Sequence, residues 1–87
     1  MPFEAIIWDL DEDPAGNARH CADHGVTKRE VEEVLQNPTD VDVSRSTGQP
    51  VVFGDTRAGR HLLVVVEQVD ETTVYPITAY EVPRRKP

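Results

Sequence analysis

Three aspartates fall at every second position in the opening stretch Ile6-Ile7-Trp8-Asp9-Leu10-Asp11-Glu12-Asp13. Carboxylates delivered at the end of an apolar run can attack a phosphoryl group, ligate calcium or cap a helix. An Asp-x-Asp phosphatase nucleophile continues with Gly-Thr and sits on a parallel sheet, whereas Glu12 and Asp13 follow here and the later strands are hairpin-linked. A calcium loop that starts at Asp9 needs glycine at its sixth position and glutamate at its twelfth. Pro14 and His20 stand there instead. The remaining reading is electrostatic: acidic groups before a helix favour its positive end. Asp13, followed by Pro14 at the first helical position, is then the expected N-cap.

The histidines come next. His20 and His24 are four apart, which is zinc-ligand spacing on a helix face, but the intervening residues are Cys21-Ala22-Asp23, without the metalloprotease glutamate. Cys21 points about 100° from His20 on a helix, given 3.6 residues per turn, so it joins neither a metal set nor a thiolate dyad with its neighbour. No metal and no cofactor are expected. In the second half, Arg45, Arg57, Arg60, His61, Tyr75 and Tyr80 supply cations and proton-transfer groups. Projected from adjacent strands, such residues can cradle a phosphodiester, polarise it and move protons; as solvated turn residues they do nothing of the kind.

The elements that must position these groups are legible in outline. Phe3–Trp8 is a strand candidate, and a helix over 14–23 ends at Gly25, suited to a left-handed C-cap. Thr27-Lys28-Arg29-Glu30 is a capping box, and Val31, Val34 and Leu35 form the apolar stripe of a second helix that Asn37-Pro38 stops. From Val41 the period changes to strands: 41–46, 50–54, 60–69 and 72–82, joined by turns at 47–50, 55–59 and 70–71. Leu62-Leu63-Val64-Val65-Val66 is apolar on both faces, which predicts a central strand, while Pro76 predicts an edge or a bulge. The order β-α-α-β-β-β-β gives an α+β fold with two N-terminal helices on a mainly antiparallel sheet. Residues 1–82 form one domain in this reading, and 83–87 a frayed basic tail.

Charge is unevenly placed. The 87 residues carry a net charge of −7. Residues 1–42 hold 11 Asp/Glu against three basic residues, while 43–87 hold 5 against 6. Any nucleic-acid contact is therefore expected in the second half, because phosphate contacts supply most non-specific affinity. The single Cys21 excludes an internal disulfide framework and fits a cytoplasmic protein, and no apolar run is long enough for a membrane span.

The order of several short landmarks adds a family. Ile7-Trp8-Asp9, Asn17, His24-Gly25-Val26, Glu30–Val34 and Asn37-Pro38 resemble the N-terminal half of BrnT-type proteins, and Gly59-Arg60, Leu62–Val66 and Ile77-Thr78-Ala79 resemble their sheet. The likeness covers Phe3 to Glu81. It implies a small ribonuclease toxin of a bacterial toxin–antitoxin pair, with a RelE-like fold and a co-encoded antitoxin as partner. On that reading the chain is a metal-independent endoribonuclease. Arg45, Arg57 and Arg60 bind the RNA backbone, and His24, Arg60, His61 and Tyr80 are the candidate catalytic groups. The family's lysine after Trp-Asp and its lysine before His-Gly are replaced by acidic neighbours, Glu12 or Asp13 and Asp23; its arginine after Ile-Ser-Ala is replaced by Tyr80-Glu81. Those departures favour the alternative, a non-catalytic interaction or regulatory module on the same fold. Homo-oligomerisation is compatible with either.

Overall fold

A computed structural model of the chain describes residues 4–83, so Phe3 and the basic residues 84–86 lie outside it. The elements are β1 (Ala5–Ile6), α1 (Asn17–Asp23), α2 (Lys28–Gln36), β2 (Asp40–Val43), β3 (Pro50–Asp55), β4 (His61–Gln68) and β5 (Thr73–Glu81). The sheet has the order β1-β5-β4-β3-β2, antiparallel throughout except that β1 runs parallel to β5. This is the α+β arrangement, in the element order, that the sequence predicts. No helix among the described residues is long and apolar enough to cross a membrane.

Burial follows from the strand period of two. Leu62, Val64 and Val66 of β4 point to the helices and are fully buried, against Val52 of β3 and Val31, Val34 and Leu35 of α2. Burying each such side chain contributes roughly 1.5–3 kcal/mol. The alternate residues Val51, Phe53, Leu63 and Val65 lie on the opposite face, where Val51 pairs with Val65 and Phe53 with Leu63. Both faces of β4 are thus apolar because it is the middle strand. Gly54, paired with Leu62, is where α2 comes closest to the sheet: a Cβ there would stand 3.0 Å from Val34 Cγ1 and 3.3 Å from the Asn37 carbonyl oxygen.

The capping box of α2 forms as expected. Thr27 Oγ1 accepts from the Glu30 N–H at 3.2 Å, and Glu30 Oε1 accepts from the Thr27 N–H at 3.0 Å. The start of α1 does not follow the sequence signal. The helix begins at Asn17 with Gly16 as N-cap, not at Pro14 with Asp13 as cap. Asp13 instead closes a local turn, its Oδ1 accepting from the Ala15 N–H and its carbonyl from the Gly16 N–H. Asp9 does the capping from a distance: its Oδ2 accepts the Asn17 N–H at 3.0 Å. Gly16 permits this, because a Cβ at that position would lie 2.7 Å from Asp9 Cβ.

Asn17 completes the arrangement. Its Oδ1 accepts from the Asp9 N–H at 2.9 Å, and its Nδ2 donates to the carbonyls of Ile7 at 3.0 Å and Pro76 at 2.8 Å. Tyr75 donates its hydroxyl to Asp9 Oδ2. One buried carboxamide therefore joins the end of β1, the start of α1 and the middle of β5. Pro76 sits at a bulge, as the sequence predicts: Val65 faces Thr78 and Val66 faces Pro76, so Ile77 is the extra residue. Strand β1 covers only Thr73 and Val74 of β5, so Pro76 also lies where the outer side of β5 carries no paired strand among the described residues. Strands β1 and β2 are shorter than expected, since Trp8 and Asp9 leave the sheet to reach α1 and Ser44 closes the next turn on Gln49.

The Tyr75 hydroxyl and the Asn17 N–H hold the Asp9 carboxyl below the usual carboxylate range, and the same contact with Asp9, together with burial, pushes Tyr75 up to about 12. A lowered folded-state value stabilises the fold above the unfolded value and is lost as pH falls through the folded one. Asp9→Asn should therefore flatten the acid limb of a plot of urea midpoint against pH, below about pH 4. Asn17→Ala leaves two carbonyls and an N–H without their partner and should lower the unfolding free energy by about 2–3 kcal/mol. Gly54→Ala should cost roughly 1–3 kcal/mol through overpacking against Val34. Urea melts of the three variants check each value.

Candidate functional site

The hairpin between β3 and β4 sets the first group. Thr56 donates its N–H to the Arg60 carbonyl at 2.8 Å, and Gly59, at φ 88°, supplies the left-handed residue of the turn. This geometry turns Arg60 toward the helix face. Its Nη1 donates to Glu30 Oε2 at 2.8 Å, to Glu30 Oε1 at 2.9 Å and to the Gly25 carbonyl at 3.0 Å; its Nε donates to Glu81 Oε1 at 3.2 Å. One guanidinium thus ties the α1–α2 junction, the first turn of α2 and the end of β5 together. Burial alone would raise the Glu30 carboxyl, but the hydrogen bonds from Thr27 and Arg60 outweigh it and hold that group below its ordinary value. The two carboxylates raise Arg60 in turn. Glu30 serves at once as the helix-capping residue and as the partner of Arg60. The capping box announces the first role; nothing in the linear spacing announces the second.

His61 lies on the other face of the sheet. It stands directly opposite Asp55 across the hairpin, with Nδ1 2.9 Å from Asp55 Oδ1 and its ring stacked on Phe53 at a centroid distance of 6.2 Å. The Asp55 carboxylate at Nδ1 fixes the orientation of the imidazole ring. The His61 side chain is 11% exposed, so little of it meets solvent. Asp55 escaped the sequence reading, although a hairpin with five turn residues places positions 55 and 61 opposite each other.

His24 and Tyr80 form a third group. His24 is the C-cap of α1, and its ring lies 5.2 Å from that of His20 and 5.9 Å from that of Tyr80. Tyr80 belongs to the part of β5 that β1 does not cover. Two expected catalytic groups, His24 and Tyr80, are therefore neighbours. Arg60, the last residue of the hairpin turn, reaches Glu30 and Gly25 on the helix side, while His61, the first residue of β4, pairs with Asp55 on the opposite face.

The expected RNA-binding arginines are also dispersed. Arg45 lies in the β2–β3 turn and Arg57 in the β3–β4 turn, at opposite ends of the six-residue strand β3, or roughly 20 Å apart at about 3.3 Å per residue. The Arg57 N–H donates to Glu33 Oε1 at 3.1 Å, and its Nε stands 3.9 Å from Glu33 Oε2. An open groove of about 280 Å³ beside it is lined by Arg29, Glu33, Asn37 and Asp55, so its cations alternate with carboxylates. Among the acidic residues of the N-terminal stretch, Asp11 pairs with Lys28 Nζ at 2.7 Å. Among the described residues no three His, Cys, Asp or Glu side chains gather as a metal set. Burial pushes the Cys21 thiol up to about 11, which keeps it protonated at neutral pH.

Arg60→Ala removes four hydrogen bonds from a partly exposed site and should lower the unfolding free energy by about 1–2 kcal/mol. A Glu30→Gln change should give a smaller loss with the cap retained, and urea unfolding at neutral pH measures both. Compared with family models, curated proteins and solved structures, the chain matches none.

Proposed function

We propose that this chain is the toxin-type member of a bacterial toxin–antitoxin pair on a RelE-like scaffold, and that it works by holding a protein partner rather than by cutting RNA. The BrnT-like landmarks support the first part. The observation that carries the second is the commitment of Arg60 to Glu30, Glu81 and the Gly25 carbonyl. A phosphodiester approaching that guanidinium meets two carboxylates already seated on it. Single-strand affinity scales with the number of phosphates neutralised, by a salt slope of about 0.7 per contact, and Arg45 and Arg57 lie too far apart to grip one phosphate. The cognate antitoxin is the natural partner, and the cytoplasm, where a lone thiol stays reduced, is the natural location.

One observation favours a ribonuclease reading as the second: His24 and Tyr80 come within 5.9 Å of each other at the free part of β5. There the imidazole could take the 2′-hydroxyl proton while the phenol protonates the leaving oxygen. Expression of the chain without any antitoxin separates the two. Partner binding without chemistry predicts normal growth, intact transcripts and no retention of single-stranded RNA by the purified protein at low salt. Growth arrest with transcript cleavage that disappears in His24→Ala or Tyr80→Phe would replace this reading with the ribonuclease.

A further inference from the structure

The end of α1 presents a pair of side chains that the partner-binding reading leaves unused. His20 lies in the last turn of the helix and His24 is its C-cap, and both are exposed. Residues four apart face the same side of a helix, and here the two ring centroids stand 5.2 Å apart with 39° between their planes. Among the described residues neither imidazole enters a hydrogen bond or ion pair. His61 differs, since Asp55 holds its Nδ1. The carboxylate between the two histidines in sequence is engaged elsewhere: Asp23 Oδ1 accepts from Arg19 Nε at 3.2 Å.

Spacing in the sequence gives no metal expectation by itself; the ring separation does. Zinc binds an imidazole nitrogen at about 2.0–2.1 Å, and the ring centre lies roughly 1.1 Å farther along the same line. Two imidazoles on one tetrahedral ion therefore hold their centroids about 5.3 Å apart, against about 4.6 Å for adjacent positions of a square-planar or octahedral ion. The observed 5.2 Å is close to the tetrahedral value. Side chains on successive helical turns start from Cβ atoms about 5–6 Å apart, so the backbone already sets this bite and binding asks for no rearrangement of α1.

Two neutral imidazoles suit a late first-row divalent ion, whereas magnesium and calcium require a set of oxygens. Two protein ligands leave the remaining positions to water, so the site is open, unlike the closed four-ligand set of a structural zinc. The surroundings favour a cation. An ion held by this pair lies at the carbonyl end of α1, where the helix dipole is negative, on a chain of net charge −7. The ring of Tyr80, 5.9 Å from that of His24, walls one side.

We propose that His20 and His24 form a two-point site for a single zinc-type divalent ion, which clamps the last turn of α1 to its cap. The site goes beyond the partner-binding reading and is independent of it, because neither a partner nor RNA is needed to fill it. When filled it takes the lone pair of His24, which excludes proton transfer by that imidazole.

Zinc chloride titrated into the full chain near neutral pH, with magnesium in large excess, tests the site by calorimetry and by nitrogen-15 NMR of the histidine rings. Zinc should bind saturably at one ion per chain and move the ring nitrogens of His20 and His24 together, leaving those of His61 in place. His20→Ala and His24→Ala, both exposed substitutions that leave the core intact, should each weaken binding at least about tenfold, as loss of one of two ligands demands. Asp23→Asn lowers the local charge without touching an imidazole and should change the affinity by less than about twofold. No saturable binding in the presence of magnesium, unchanged affinity in either histidine variant, a loss in Asp23→Asn as large as in those variants, or a shift confined to His61 would each overturn the proposal.

Discussion

The buried carboxamide of Asn17 is the contact on which the rest of the structure depends. A helix of seven residues has little stability of its own, because nucleation fixes several residues before any hydrogen bond repays the entropy. Here α1 is held from outside: Asp9 caps its first N–H, and Asn17 binds the carbonyls of Ile7 and Pro76. The bulge at Pro76 fits this role, since a residue without an N–H still presents a carbonyl. Once α1 is fixed, Cys21 and Val26 close the core over β4 and β5, and the junction before α2 brings the Gly25 carbonyl and Glu30 within reach of Arg60. A few polar contacts thus set the relation between two short helices and a sheet.

Elements whose signals are local were legible in the sequence. The capping box, the apolar stripe of α2, the two-faced run of β4, the hairpin turns and the bulge at Pro76 each depend on residues close in the chain. What escaped was long-range. Asp13-Pro14 is a sound helix start by its own chemistry, but the turn it makes stops short because Asp9 captures Asn17 eight residues on. The aspartates of the opening stretch divide accordingly: Asp9 caps and clasps, Asp11 pairs with Lys28, and Asp13 closes a turn.

The candidate site shows the same division. Composition singled out His24, His61, Tyr80 and the arginines as candidate chemistry-bearing residues, but not which of them share a surface. The β3–β4 turn directs Arg60 to the helix side, and the hairpin register gives His61 to Asp55 on the other face. Pairing of Arg60 with Glu30 converts the best phosphate-binding candidate into a tie between helix and sheet. The acidic first half of the chain then works at two places: its carboxylates neutralise cations inside the fold, and on β2 those of Asp40 and Asp42 accept from the amides of Val41 and Val43.

The central claim is that Arg60 serves the fold and not a phosphate. Nitrogen-15 NMR of the Arg60 side chain during titration with a short single-stranded oligoribonucleotide at low salt tests it most directly. The account predicts a slowly exchanging Arg60 Nε–H whose resonance does not move as RNA is added. A saturable shift of that resonance, with loss of protection as the Glu30 and Glu81 contacts give way to phosphate, would contradict it.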